Sequence, residues 1–225
     1  MTMLHFDRFA TAGQDHVAVA ITRLVIAGWA ARDEAAVRHH IEELAALGVP
    51  PPSSVPVYYR AAAANLIQAT SLEVLGPDTS GEVEPVLISL ADGLWLGLGS
   101  DHTDRKAEAA GIALSKQLCG KPVGTSLWRF EEVEAHWDAL ELSAHATIDG
   151  QVLLYQQGAL AMLRHPRDLM ARGPALPPGS LMFCGTLGAI GGIRPGTRFA
   201  MTLHDPVLGR TLHHAYDIIE LPVVS

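Results

Sequence analysis

An α+β fold rich in antiparallel strands, or a β-roll, is what this chain predicts, and three observations carry the expectation. Alternating apolar runs flank Asp-Gly dipeptides at Asp92-Gly93 and at Asp149-Gly150, and Asp-Gly readily supplies the positive-φ residues of a tight hairpin. Residues 180–225 read as strand and turn throughout. Helical segments do not alternate with strands in the way a doubly wound parallel sheet requires.

Taken in order, the chain is expected to form an N-terminal lobe over residues 1–52, strands plus one helix, and a catalytic core over 53–225, the two being compatible with one continuous domain. The helix is "DEAAVRHHIEELAALG", where Asp33 can cap, Val37, Ile41 and Leu44 recur at helical spacing, and Gly48 supplies the stop before Pro50. "PPPSSVP" marks the boundary between lobe and core. A short helix is expected over Ala61 to Ala69, then the hairpin "PVLISLADGLWLGLG". "DRKAEAAGIALSKQLCG" reads as a helix ending at Gly120, and "RFEEVEAHWDAL" as a short helix or turn. "LSAHATI" and "QVLLYQQ" form the second hairpin; "LMFCGT", "TRFAMTLHD" and "RTLHHAYDIIEL" close the chain as strands.

Composition excludes several partners. Sixteen Lys and Arg stand against 24 Asp and Glu, for a net charge of -8, and no basic cluster offers a footprint for a phosphate backbone, so nucleic acid is not expected. No apolar run approaches the roughly 18 residues of a membrane span, and the first residues lack a basic stretch followed by an apolar one. A soluble, cytoplasmic protein is expected, with Cys119 and Cys184 reduced.

The chemistry concentrates around one hairpin. Glu82 and Glu84 lie two apart in "SGEVEPVLI", so on a strand both carboxylates point to one face. Two like charges held together are costly unless a cation sits between them. Glu84 lies eight residues before Asp92, and Asp101 eight after Gly93, so the hairpin returns Asp101 to the level of the pair. Three carboxylates with room for water suit Mg²⁺ or Mn²⁺, with Ca²⁺ also possible, better than Zn²⁺. The plain alternative is that the two glutamates form the solvated face of an edge strand.

These residues resemble a family. "SGEVEPVLI", "SDHTDR", "SKQLCGKPVGTSLW", "IDG..LLYQQGALAML" and "LPPGSLMFCGTLGAIGGIRPGTRFAMTL" look like the ordered motifs of the fumarylacetoacetate hydrolase family, in a divergent bacterial branch. The resemblance implies a mixed β-roll core with peripheral helices, usually a homodimer, binding a divalent cation and acting on small 2-oxo or β-diketo acids through an enolate. It implies Glu82, Glu84 and Asp101 as metal ligands, Arg105 and Lys116 toward the substrate's carboxylate or enolate, Thr186 hydrogen-bonding it, Gln156 or Gln157 as an outer pocket contact, and Tyr59 beside the substrate. Lys116 can shuttle a proton.

Several positions depart from the family pattern. The family's Asn-Tyr-x-x-His stretch, whose His activates water, corresponds to "VYYRAAAANL", which holds Tyr58, Tyr59 and Arg60 but no His. His102 is the nearest replacement in sequence, although it should point away from the cation if Asp101 points toward it. The interval from Glu84 to Asp101 is shorter than is usual, as if a tight hairpin replaced a helix. Hydrolysis of a carbon–carbon bond is the first expectation, decarboxylation or tautomerisation the next, and a non-catalytic binding protein the reading from another class. Elsewhere, "GTLGAIGG" is followed by a strand rather than the helix a phosphate loop needs, the pairs His39-His40 and His213-His214 splay apart, and Cys184, Trp128 and Trp137 read as packing, with a wall of the pocket as the alternative for Trp128.

Overall fold

The computed structural model describes residues 1–46 and 51–224. Strands β1 (Thr2–Ala10), β2 (Gly13–Ile21) and β3 (Arg23–Gly28) precede helix α1 (Glu34–Ala46). Asp33 caps α1 as expected, its Oδ1 accepting the N–H groups of Ala35 and Ala36 at 3.0 Å, and Val37 is buried. Gly48 and Pro50, and the side chain of Leu44, lie outside the described residues. Strand β4 (Val57–Ala61) follows, and the helix expected over Ala61 to Ala69 is corrected to one 3₁₀ turn, Ala63–Asn65, then the two-residue strand β5 (Leu66–Ile67). Helix propensity of the alanine run is overridden here by pairing: β5 hydrogen-bonds in parallel with β11 (Lys121–Pro122).

Strands β6 (Ser71–Leu75), β7 (Thr79–Ser80), β8 (Val83–Leu90), β9 (Gly93–Ser100) and β10 (Thr103–Asp104) come next. The expected single helix after them is two, α2 (Arg105–Glu108) and α3 (Ile112–Leu118), separated around Gly111. Strand β12 (Ser126–Arg129) leads into α4 (Phe130–Val133) and a 3₁₀ segment, followed by the hairpin β13 (Glu141–Ile148) and β14 (Gln151–Ala159). Its turn is the one expected: Asp149 and Gly150 have φ of 50° and 76°. Helix α5 (Pro166–Arg172) and strands β15 (Ser180–Phe183), β16 (Arg198–Asp205) and β17 (Arg210–Leu221) complete the chain.

Two large sheets result, an eight-stranded one in the order β2-β1-β12-β9-β8-β15-β3-β4 and a five-stranded one in the order β14-β13-β16-β17-β6, beside the two-stranded pairs β10-β7 and β11-β5. Strands from before residue 53 (β1 to β3) and after it share the larger sheet. Pairing is mainly antiparallel, with parallel pairs at β1-β12, β15-β3 and β17-β6. One apolar cluster, including Leu87, Leu96, Trp128, Trp137, Phe199 and Tyr216, packs strands of both sheets together. A second draws Phe6, Ile26, Ile88, Trp95 and Phe183 among others from the larger sheet, whose eight strands all contribute. Strands dominate and the helices lie between them without regular alternation, the α+β class the sequence predicts. β8 is buried along both faces, Val83 and Leu87 in one cluster and Val86 and Ile88 in the other, so its charged residue Glu84 is carried into the interior.

Trp128, Trp137 and Cys184 are packing residues as expected, and both cysteines are buried and free. Among the described residues no helix is long and apolar enough to cross a membrane.

Candidate metal centre

The centre is built by the β8–β9 hairpin at the end away from its turn. Leu90 pairs with Gly93, so Ala91 and Asp92 form the loop, one residue earlier than the expected Asp92-Gly93. That register puts Glu84 opposite Gly99 and Val83 opposite Ser100, and the Asp101 N–H donates to the Glu82 carbonyl at 3.0 Å. Glu82 therefore faces Asp101 across the hairpin, with Glu84 two residues along on the same face. One carboxylate oxygen from each of Glu82, Glu84 and Asp101 lies within 4.8 Å of the others. Two oxygens on opposite sides of one hard cation stand roughly 4–5 Å apart. The donor set is all oxygen, which suits Mg²⁺, Mn²⁺ or Ca²⁺.

Burial makes this cluster electrostatically demanding. Asp101 is fully buried and Glu84 is 2% exposed. Burial first, and then the charges of Asp101 and Glu82, push the Glu84 carboxyl well above the ordinary range, while Lys116 and the Gly185 N–H pull it back in part. The Gly185 N–H donates to Glu84 Oε2 at 2.7 Å. Only glycine serves there, because φ is +101° and a Cβ would lie 2.7 Å from the Ala30 Cβ.

Burial alone would push the Asp101 carboxyl upward too. Lys116 and then Lys121 outweigh it and hold Asp101 below the ordinary range. Lys121, 0% exposed, reaches Asp101 Oδ1 at 2.8 Å and donates to the His102 carbonyl at 2.5 Å. Lys116 pairs with Asp101 Oδ2 and lies 3.7 Å from Glu82 Oε2. Burial would lower the Lys116 pKa, but Asp101, Glu82 and Glu84 raise it, so the ammonium is retained.

Arg105 belongs to the same network rather than to open solvent. Its guanidinium bonds Ser80 Oγ at 2.7 Å, Glu82 Oε1 at 2.9 Å and Glu108 Oε2 at 3.0 Å. Tyr59, on β4, lies beside the cluster with the Lys116 Nζ 5.8 Å from its ring centre, and burial raises its phenol pKa. Thr186 is half-buried, and its hydroxyl donates to the Val83 carbonyl at 2.7 Å.

Gln156, expected as an outer pocket contact, lies in the interior. It is 1% exposed, accepts the Val83 N–H at 2.9 Å, and donates to Thr186 Oγ1 at 2.9 Å and the Leu187 carbonyl at 2.5 Å. It clamps β14 to the start of β8 and the turn after β15, while Gln157 is exposed. His102, the expected replacement base, has both ring nitrogens engaged. Its ring nitrogens bond the Tyr216 and Thr79 hydroxyls, each at 2.9 Å, on the side away from the carboxylates that the alternation of β residues predicts.

Burial, then the charges of Lys121 and Arg105, push the His102 pKa down to about 3 from 6.5. The unfolded chain takes up this proton near pH 6.5 and the folded chain only near 3, so His102 costs stability progressively as pH falls through that window. His102→Gln is expected to flatten the acid limb of stability against pH between 6.5 and 4, measured by urea midpoints. Parallel profiles for the two proteins would reject the burial argument.

Lys121 is the residue the sequence reading passed over. Its signal was a single charge at the start of β11, between the buried Cys119 and Val123, where a lysine survives only with a buried partner.

The strand-rich core is shared with solved structures of the fumarylacetoacetate hydrolase fold. A fumarylacetoacetate isomerase/hydrolase candidate from Oleispira antarctica superposes with a TM-score of 0.66 at 19% identity, covering 97% of this chain and 100% of that one. Maleylpyruvate hydrolase from Sphingobium sp. SYK-6 gives 0.62 at 15%, covering 92% and 75%. A 2-keto-3-deoxy-D-arabinonate dehydratase complexed with magnesium and 2,5-dioxopentanoate gives 0.61 at 14%, covering 93% and 78%. Within that fold the chain belongs to the family described as "Protein of unknown function (DUF2848)", which matches residues 27–216. A comparison with curated proteins returned no match.

Proposed function

We propose that this chain is a divalent-metal-dependent enzyme acting on a small 2-oxo or β-diketo acid, by first reading a hydrolase of a carbon–carbon bond, working as a cytoplasmic homodimer. The observation that supports it is the convergence of Glu82, Glu84 and Asp101 within coordinating reach of one another on a buried hairpin face. Bound there, Mg²⁺ or Mn²⁺ would withdraw electrons from the adjacent oxo and carboxylate oxygens of such an acid and favour its enolate. Lys116 retains a proton beside these carboxylates and supplies positive charge where an enolate's negative charge would gather. Arg105 fixes Glu82, and Gly185 fixes Glu84. The names of the structural neighbours, a hydrolase and a magnesium-complexed dehydratase of oxo acids, agree with this reading.

A second reading, decarboxylase or tautomerase, is favoured by one observation: the His102 ring is bonded to Tyr216 and Thr79 instead of being free to activate water. Incubation with Mn²⁺ and a panel of acylpyruvates, followed by the enol absorbance and by product analysis, separates the two. Turnover that disappears in Glu84→Ala is the expected result. Thermal stabilisation by an oxo acid without turnover would make the protein a binder, and indifference to every divalent cation would overturn the proposal.

A further inference from the structure

The cluster contains more positive charge than a waiting metal site needs. Three carboxylates, Glu82, Glu84 and Asp101, meet three cations, Arg105, Lys116 and Lys121. The two lysines on Asp101 differ in how they are held. Lys121 is wholly buried and bonded to a second group, the His102 carbonyl. Lys116 sits on the short helix α3, its side chain 9% exposed, and its polar partners are the carboxylates themselves, Asp101 Oδ2 in contact and Glu82 Oε2 at 3.7 Å. The face of Tyr59 lies 5.8 Å from its ammonium.

The geometry points to Lys116 as a built-in cation that stands in for the divalent metal. This rests on the metal reading above and concerns how that site is regulated. Without metal, the Lys116 ammonium neutralises Asp101 and Glu82 and offsets their repulsion. A divalent ion bound to those same oxygens would lie within a few ångströms of the ammonium, and two cations at that distance in a site of low effective dielectric repel strongly. Metal entry and Lys116 contact with Asp101 are therefore competitive. The ion displaces the ammonium from Asp101 Oδ2, Lys121 stays on Oδ1, and the freed lysine remains beside Tyr59, where an anionic ligand of the metal would meet it. The site is thus closed by its own side chain at low metal and opened as metal rises.

The test is Mn²⁺ affinity, read by calorimetry and by the electron paramagnetic resonance of free Mn²⁺, on the full chain. Lys116→Met is expected to bind Mn²⁺ at least tenfold more tightly than wild type, and Lys116→Gln, which keeps a hydrogen-bond donor for Asp101, serves if the methionine variant does not fold. Binding by the variant alone would also support the proposal, as its extreme form. Equal or weaker binding by both variants would overturn the role of Lys116 and leave the metal reading standing. No Mn²⁺ bound by wild type or by either variant would overturn both, and Glu84→Gln, expected to abolish binding throughout, identifies the site being measured.

Discussion

Asp101→Asn is expected to lower the stability of the metal-free protein by about 3–5 kcal/mol, the usual cost of leaving buried charge without its partner. For a chain of this length that corresponds to a fall in Tm of roughly 6–20 °C. Asp101 is fully buried, and its two oxygens face Lys116 and Lys121. An asparagine of the same shape offers one carbonyl oxygen and no charge, so two ammonium groups would compete for it, and Lys121, itself wholly buried, has no route to solvent. Asp101 also joins elements the chain separates: it sits after β9, Lys116 comes from α3 and Lys121 from β11. Unfolding by urea, with and without Mg²⁺, measures this. The loss should appear in metal-free conditions, because it comes from the lysines. An Asp101→Asn protein as stable as wild type without metal would show that the two lysines are not dependent on this carboxylate.

How much of this was legible beforehand depends on the range of the interaction. The hairpin was legible from Asp-Gly and alternation, and its error is instructive. The turn is centred one residue earlier than expected, which moves every cross-strand partner by two, so Asp101 faces Glu82 instead of Glu84. A shift of two keeps each side chain on its original face, and the convergence of three carboxylates survives the mistake. Interactions spanning many residues left weaker traces. His102 is held by Tyr216, 114 residues away, and Gln156 by Val83, 73 residues away, and neither separation is periodic. Lys121 was hidden because a lone lysine beside a glycine looks like any turn residue until the aspartate that it neutralises is placed. The alanine run over 61–64 failed in the opposite sense: local propensity pointed to a helix, and the pairing of β5 with β11, invisible locally, decided against it.

Glu84→Gln is expected to do the reverse of Asp101→Asn: to stabilise the metal-free protein at neutral and alkaline pH while abolishing its response to metal. The difference lies in the neighbours. Asp101 has two cations in contact, whereas Glu84 has a backbone N–H on Oε2 and two other carboxylates close by, so that burial and their charge hold its pKa well above the ordinary range. The sign follows from proton counting. Between the ordinary carboxylate range and that raised value the folded chain keeps the Glu84 proton and the unfolded chain has released it, so stability falls as pH rises through the window. Glutamine carries no proton to lose, and its amide oxygen can still accept the Gly185 N–H, so the variant should lack that part of the decline. Metal inverts the comparison, because coordination uses the ionised carboxylate and withdraws the proton. At free Mg²⁺ about 100 times its Kd, wild type gains about 2.7 kcal/mol and the variant gains nothing. Urea midpoints from pH 5 to 9, with Mg²⁺ and with a chelator, give all four curves. If the metal-free curves run parallel, the strain on Glu84 is not there; if Mg²⁺ shifts both proteins equally, the cation binds somewhere other than this hairpin.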